Sequence, residues 1–389
     1  MTVLSRTKLN LNVGLFSLSR LVINTSIRMV YPFLAIFASG LKVDVSMISL
    51  ALAISMVTSA AGPFLAPVAD QRGRKAGMLV GLIIYLTGML AAGLLPSYLT
   101  FLLAILLGNL GNNVFAPALQ AYLGDHVPYE KRGLYLTLTE IPWALSFILM
   151  IPLVGLILSK GAWYMPFRFL SGLIVLMIGL IFWLIPNDRP GASEPITLFV
   201  DIKKVLSYKP ALLGMAMGLL VVAGNEVVNV VFGVWMQDSF GLQIAALGAA
   251  SAIIGFSELG GEGLTALLVD RLGKEKTIAC GMLFSCIFIL TLPWLGHSVA
   301  GALVWLFFFY FSFEVIIVSA LPLMTEVVPV ARATMMALFL AALSLGRALG
   351  DLTAPLLYAH SFWLNAAACL LLTLLALWTL SRIKMPGKK

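Results

Sequence analysis

Long apolar runs are the feature that most constrains how this chain of 389 residues can fold. A helix needs about 20 residues to cross the roughly 30 Å of hydrocarbon in a bilayer. Backbone groups in lipid must be hydrogen-bonded inside the segment, so such runs favour helices. We interpret twelve runs as transmembrane segments, numbered 1 to 12 in chain order: 11–38, 47–69, 76–95, 99–123, 133–158, 164–185, 210–236, 244–268, 277–295, 300–325, 333–359 and 361–381.

The composition agrees with this interpretation. Apolar residues make up 61% of the chain and charged residues only 11%, which leaves too little polar surface for a globule of this size. The sequence therefore predicts an all-α integral membrane protein. Cys280, Cys286 and Cys369 all fall in apolar segments, as is typical of packed thiols. With no Walker sequence, phosphate-binding glycine loop or His/Cys cluster, we predict no enzymatic activity, no cofactor and no metal site.

The loops indicate the orientation in the membrane. Nineteen of the 25 lysines and arginines fall on one side of the predicted topology, against Lys42, Lys160 and Arg168 on the other. The excess of basic residues marks the cytoplasmic side. We expect a multi-pass protein of the cell membrane with both termini in the cytoplasm. This loop asymmetry and contacts with membrane lipids account for the net charge of +8, so no nucleic-acid partner is expected.

The chain also repeats itself. APVADQRGRK at 66–75 returns as ALLVDRLGKEK at 266–276, and Asp125 to Arg132 has a counterpart in Glu326 to Arg332. Gene duplication is the simplest source of such a repeat. The predicted domains are an N-terminal six-helix bundle at 1–185, a cytoplasmic linker at 186–209 and a C-terminal six-helix bundle at 210–389.

These loops resemble those of the major facilitator superfamily (MFS), including its multidrug/proton antiporter-like members. The family's loop between helices 2 and 3 reads Gly-x-Leu-Ala-Asp-Arg-x-Gly-Arg-Lys, and this chain keeps Ala69, Asp70, Gly73, Arg74 and Lys75 in register. The resemblance implies a monomeric secondary transporter with twelve transmembrane helices in two pseudo-symmetric bundles. Segments 1, 4, 7 and 10 would line its cavity, and the bundles would rock about a midplane site.

The same resemblance implies which loop residues take part in gating. The stretch Asp125, Pro128, Arg132 and Gly133 is similar to the family's loop between helices 4 and 5. Charge pairs at helix ends can form in one conformation and break in another. The residues assigned to gating are Asp70, Arg72, Gly73, Arg74, Lys75, Asp125, Arg132, Asp270 and Arg271.

Two family features are missing from this chain. The arginine that many proton antiporters carry in helix 4 would fall near Ile105, and the glycine- and proline-rich pattern of helix 5 survives only as Pro152 and Gly155. These departures weigh against proton-coupled drug export without excluding it.

Ionisable residues inside the segments are the candidates for transport chemistry, because a charge at a helix centre costs about 2.5–3.5 kcal/mol on insertion scales. Arg28 and Glu226 fall at similar depth in segments 1 and 7 and could face each other. Glu314 lies among aromatic residues of segment 10, and Glu258 sits one turn from Glu262, where two carboxylates repel. The predicted substrate- and proton-binding residues are Arg28, Asn24, Asn109, Asn113, Glu226, Asn229, Glu314 and Glu258.

Arg347 and Asp351 are spaced i, i+4 in segment 11, so we expect them to form a structural pair. Candidate acids inside the segments outnumber candidate bases, which favours protons and cations as ligands. The six acids are Glu140, Glu226, Glu258, Glu262, Glu314 and Asp351, and the two bases are Arg28 and Arg347. The leading prediction is proton-coupled export of a hydrophobic or cationic small molecule. The alternatives are a transporter of a lipid-like or anionic metabolite that binds at Arg28 without obligatory protons, and a non-transporting receptor or scaffold.

Overall fold

A computed structural model describes residues 6–62, 73–187 and 198–383, and within them every regular element is a helix. In the first half of the chain, the described residues form nine α-helices, α1 to α9: Arg6–Arg28, Leu34–Leu41, Val45–Ala60, Arg74–Leu94, Tyr98–His126, Tyr129–Glu140, Pro142–Leu145, Ile151–Lys160 and Met165–Leu184. The second half contains α10 to α19: Leu198–Leu206, Lys209–Asn229, Phe232–Phe240, Ile244–Ala250, Ala252–Leu272, Lys274–Leu290, Leu292–Leu295, Val299–Val327, Arg332–Tyr358 and Phe362–Arg382.

The helices have the lengths that a bilayer requires. Among the described residues, nine helical stretches are long and apolar enough to cross a membrane. A tenth results if α2 and α3, which meet at 110°, form one broken span. Predicted segments 1 and 9 are not among these nine stretches. Segment 1 begins with α1, which carries four basic residues, and segment 9 corresponds to α15, which has only 17 residues. The predicted all-α membrane fold is confirmed.

Segment 5 forms a helix with a defect in its middle. After α6 and the short α7, residues Ser146–Met150 form one turn of π-helix before α8 begins. Pro142 and Pro152 flank this turn and lack the N–H donors that a regular helix needs. π-Helical turns inside α-helices often mark functional sites. This one lies beside the side chain of Arg28, described below.

The chain divides into two compact units. Unit 1 comprises Met1–Val43, Ala61–Pro195 and Ile244–Ala252, and unit 2 comprises Asp44–Ala60, Ile196–Gln243 and Ile253–Lys389. In unit 1, α13 packs on α8, with Gly155 and Gly248 at the contact. In unit 2, α3 packs on α18. The domain boundaries predicted from the sequence, 1–185, 186–209 and 210–389, stay a prediction.

The duplication reappears in local geometry. Gly73 and Gly273 precede α4 and α15 with φ of 90° and 85°, a backbone region that favours glycine. Ser97 and Ser298 cap the 29-residue helices α5 and α17, each accepting a hydrogen bond from a backbone N–H. Equivalent positions of the two halves therefore start their helices in the same way.

Candidate functional site

The polar side of α1 contacts the broken helix of segment 5 within unit 1. Arg20 donates from Nη1 to Glu140 Oε1 at 2.7 Å and from Nη2 to Glu140 Oε2 at 2.6 Å. This bidentate geometry is the strong form of an arginine–carboxylate pair. The sequence analysis counted Glu140 among the buried acids but missed Arg20 as its partner. The available signal was an arginine within an otherwise apolar segment, outside the loops.

Arg28, at the last residue of α1, is only 4% exposed. Its Cζ lies 4.2 Å from the ring centroid of Trp143 and 3.9 Å from that of Phe147, and its Nη1 donates to the carbonyl oxygen of Trp143 at 2.6 Å. Ser146 Oγ donates to the same carbonyl. Aromatic faces offset part of the cost of burying a guanidinium. The π-helical turn thus helps to hold a fixed positive charge inside unit 1.

The predicted asparagines of unit 1 lie in different surroundings. Asn24, one turn before Arg28 on α1, is 2% exposed, and its Nδ2 has no hydrogen-bond partner. Leaving a buried amide unsatisfied costs about 1–3 kcal/mol. Asn109 on α5 is buried, and Asn113 is half-buried beside Gly62, where a Cβ would come within 2.6 Å of Asn113 Nδ2.

Unit 2 contains a polar network that joins three helices. Tyr310 on α17 donates its hydroxyl to Asn229 Oδ1 at 2.7 Å, and Asn229 Nδ2 donates to Glu226 Oε1 at 3.1 Å, both on α11. Arg347 on α18 places Nη1 3.5 Å from Glu226 Oε2. Glu226 is fully buried, whereas the Arg347 side chain is 28% exposed. Breaking a buried pair by removing one partner typically costs about 3–5 kcal/mol.

Within the described residues no hydrogen bond joins Arg347 to Asp351, and their expected structural pair stays a prediction. Arg347 also reaches across to α11, where the buried carboxylate of Glu226 requires a counter-charge. Gly350 permits this approach, because its missing side chain leaves room for the Cβ of Glu226. Asp351 is itself fully buried, and neither of its carboxylate oxygens has a hydrogen-bond partner.

Two further predicted acids lie on α14 and α17. Glu258 and Glu314 are both buried, and Glu262, one turn after Glu258, is half-buried. Gly261 brings the two helices close, since a Cβ on it would lie 2.7 Å from the Cβ of Glu314. The structure thus places Glu314 at the contact between α14 and α17. Arg28 and Glu226 each have contacts inside their own unit, and their expected facing pair stays a prediction.

Several predicted gating residues lie in loops, and in each half of the chain an ion pair joins two of these loops; we call them the paired loops. Arg74 Nε lies 3.1 Å from Asp125 Oδ2, and the equivalent residues Lys274 and Glu326 form an ion pair in the second half. Lys75 donates to Phe182 O and Asn187 Oδ1, and Arg132 donates to Val127 O. Asp270 and Arg271 are exposed. Asp70 and Arg72 lie outside the described residues.

Buried charge has opposite sign in the two units. In the described part of unit 1, the charged residues with buried side chains are basic: Arg20, Arg28 and Lys75. In the described part of unit 2 they are all acidic: Glu226, Glu258, Glu314 and Asp351. Unit 2 is therefore the part of the molecule whose interior attracts protons and cations.

Comparison with known proteins identifies relatives along the whole chain. A family model described as Major Facilitator Superfamily matches residues 16–224 and 214–389. The MFS-type transporter YceJ of Bacillus subtilis (strain 168) is 23% identical over 353 residues, which cover 89% of each chain.

The multidrug resistance protein MdtG of Enterobacter lignolyticus (strain SCF1) is 26% identical over 290 residues, covering 68% of this chain and 67% of that protein. Among solved structures, a D-xylose-proton symporter aligns with a TM-score of 0.76 at 16% identity, covering 94% of this chain and 96% of that one.

Proposed function

Because this chain belongs to the major facilitator superfamily of membrane transporters, we propose that it is a secondary active transporter that exports hydrophobic or cationic small molecules in exchange for protons. Transport by alternating access follows from the family. Family membership does not specify the export direction, the coupling to protons or the class of substrate, and these three points are what we propose. The similarity to MdtG, whose name describes multidrug resistance, supports the substrate class.

One observation carries the proposal: in the part of unit 2 that the structure describes, the buried charges are all acids. Ionised carboxylates in a low-dielectric interior are costly unless a positive charge accompanies them. A proton and an organic cation can each supply that charge, so they compete for the same carboxylates. Competition of this kind couples the movement of one ligand to that of the other.

The residues have distinct proposed roles. Glu226 and Glu314 bind the cation or the proton, with Asn229 orienting Glu226 and Glu258 adding negative potential near Glu314. Phe309 and Tyr310 surround this part of α17 with aromatic faces that favour lipophilic cations. In unit 1, Asn24, Asn109 and Asn113 contribute amides to substrate binding.

The paired loops are proposed to favour one state of the transport cycle. Arg74 with Asp125 and Lys274 with Glu326 hold neighbouring helix ends together, and Asp70, Arg72, Arg132, Asp270 and Arg271 belong to the same loops. Exposed ion pairs contribute only about 0–1 kcal/mol each, which suits contacts that must form and break in every cycle. We place these loops and both termini in the cytoplasm of a cell-membrane protein that functions as a monomer among lipids.

Substrate-dependent proton movement in proteoliposomes tests the proposal. Ethidium serves as the probe cation, and a pH-sensitive dye trapped inside the vesicles reports protons. We expect ethidium transport to move protons in the unsubstituted protein, and Glu226→Gln and Glu314→Gln to reduce this coupling. Asp238→Asn is the matched control, since Asp238 is an exposed acid of the same unit. Coupling that is unchanged in both glutamine variants would contradict the proposed roles.

The surroundings of Arg28 favour a second candidate function, transport of an anionic or lipid-like metabolite without obligatory protons. Its buried guanidinium between Trp143 and Phe147 is a fixed positive charge beside apolar surface, which suits an amphipathic anion. A binding screen separates the two candidates. If Arg28→Ala abolishes binding of anions while ethidium is ignored, the cation-export proposal fails and this one replaces it.

A further inference from the structure

Asp351 is a buried acid to which the proposed function assigns no role in binding protons or substrate. It lies inside α18 and is fully buried, and neither carboxylate oxygen has a hydrogen-bond partner among the residues that the structure describes. A buried carboxylate that no hydrogen bond stabilises is far more costly when ionised than when neutral. A proton or a nearby positive charge would offset that cost.

The charged groups that act on Asp351 are Glu226 and Arg347. The helices packed against α18 are α3, α10, α11, α17 and α19, and α3 has no ionisable residue in its sequence. Asn365 on α19 uses its Nδ2 on Val227 O and Ala354 O. The other ionisable side chains on these packed helices are Asp201, Lys203, Lys204, Lys209, Tyr310, Glu314, Glu326, Cys369 and Arg382.

Three charged side chains thus form one cluster: Glu226, Asp351 and Arg347. Two carboxylates and one guanidinium leave a net charge of minus one when both acids are ionised. One added positive charge makes the cluster neutral. A single proton satisfies this requirement, and so does one monovalent cation.

Arg347 is placed to serve either acid. It is one helical turn from Asp351 on the same helix, a spacing at which side chains meet. It now contacts Glu226 at 3.5 Å, longer than an ordinary hydrogen bond, and it retains partial exposure. Arg347 therefore has one carboxylate as a contact on α11 and the other one helical turn away on its own helix.

We propose that Asp351 carries the exchanged proton, and that Arg347 switches from Glu226 to Asp351 when that proton leaves. This inference rests on the proposed proton-coupled function and names the residue and the switch that perform it. With Asp351 protonated, Arg347 neutralises Glu226. When the Asp351 O–H bond breaks, the proton passes to water and Arg347 pairs with the new carboxylate. Glu226 is then released to bind a cationic substrate, so the cluster exchanges one proton for one monovalent cation.

Two transport modes in proteoliposomes separate the inference from the proposed function. The first is ethidium accumulation driven by a pH gradient, and the second is exchange of ethidium across the membrane at equal pH. Asp351→Asn mimics the protonated acid and should lose gradient-driven accumulation. Asp351→Glu, which restores an acid, should regain accumulation, and Asp238→Asn should behave as the unsubstituted protein.

The outcomes are distinct. Gradient-driven accumulation that persists in Asp351→Asn overturns the inference while the proposed function stands. Absence of gradient-driven accumulation in the unsubstituted protein, with exchange at equal pH intact, overturns the proposed function instead. If Asp351→Glu is as inactive as Asp351→Asn, the acid is not the required group and the inference also fails.

A second measurement serves if Asp351→Asn does not fold. Proton release is followed with a pH dye in weakly buffered detergent solution while ethidium binds to purified protein. The unsubstituted protein should release one proton for each ethidium bound. In Glu226→Gln the remaining Asp351 and Arg347 balance each other, so residual ethidium binding should release fewer protons for each ethidium bound than in the unsubstituted protein. Undiminished proton release in Glu226→Gln would overturn the inference.

Discussion

Replacing Gly350 by alanine tests the close approach of α18 to α11. A Cβ at this position would collide with the Cβ of Glu226 and come within 3.0 Å of the carbonyl oxygen of Ala223. Neither contact involves the far end of a flexible side chain, so the two helices must separate. We expect Gly350→Ala to destabilise unit 2 and to lengthen the distance between Arg347 and Glu226.

The magnitude follows from two opposing terms. Overpacking a close contact costs about 1–3 kcal/mol. Alanine inside a helix is favoured over glycine by about 0.5–1 kcal/mol. The free energy of unfolding should therefore fall by roughly 0–2.5 kcal/mol in Gly350→Ala.

Gly263→Ala is the matched control. Gly263 lies in α14 of the same unit, and a Cβ there would have nothing within 4 Å. Only the helix-propensity term remains, so we expect a gain of about 0.5–1 kcal/mol in the free energy of unfolding. Reversible denaturant unfolding of the purified protein in detergent measures both variants. Shifts of the same sign and size in the two variants would refute the proposed packing.

Three further predictions concern the polar contacts. Arg20→Gln removes one partner of the bidentate pair with Glu140. Because the Glu140 side chain is 45% exposed, the free energy of unfolding should fall by only about 1–2 kcal/mol. The comparison variants are Glu140→Gln and the double variant. If the double variant loses the sum of the two single effects, the two side chains are not coupled. Tyr310→Phe removes the donor to Asn229 and should cost about 0.5–1.5 kcal/mol in the same assay, and an unchanged stability would argue against that hydrogen bond. Arg74→Gln should change stability by less than about 1 kcal/mol yet alter the labelling of cysteines introduced on either side of the membrane, whereas unaltered labelling would remove its gating role.

Helix positions and the repeat were accessible from the sequence because apolar length and duplicated loops report them directly. The break between α1 and α2 was not predicted. Segment 1 was expected to end at residue 38, but the helix ends at Arg28 and a second one runs to Leu41. Lys42 then adopts φ of 57°, which turns the chain sharply into α3. Hydrophobic length does not report the break after Arg28, because residues 29–33 are as apolar as the helices on either side.

Side-chain partners were harder to predict than helices. Spacing along α18 suggested Asp351 as a partner of Arg347, which stays a prediction, but it could not suggest the ion pair of Arg347 with Glu226 on α11. Which pair forms depends on the rotation of each helix about its axis. A helix that is apolar on all sides carries little periodic signal for that rotation. The same reason explains why Arg20 was missed as the partner of Glu140.

The central claim is that the buried acids of unit 2 bind either protons or a cation. Binding of ethidium to the purified protein at a series of pH values, with proton release recorded in the same titration, tests it most directly. The account predicts that ethidium affinity rises with pH and that binding releases protons. Ethidium binding that is independent of pH and releases no protons would contradict it.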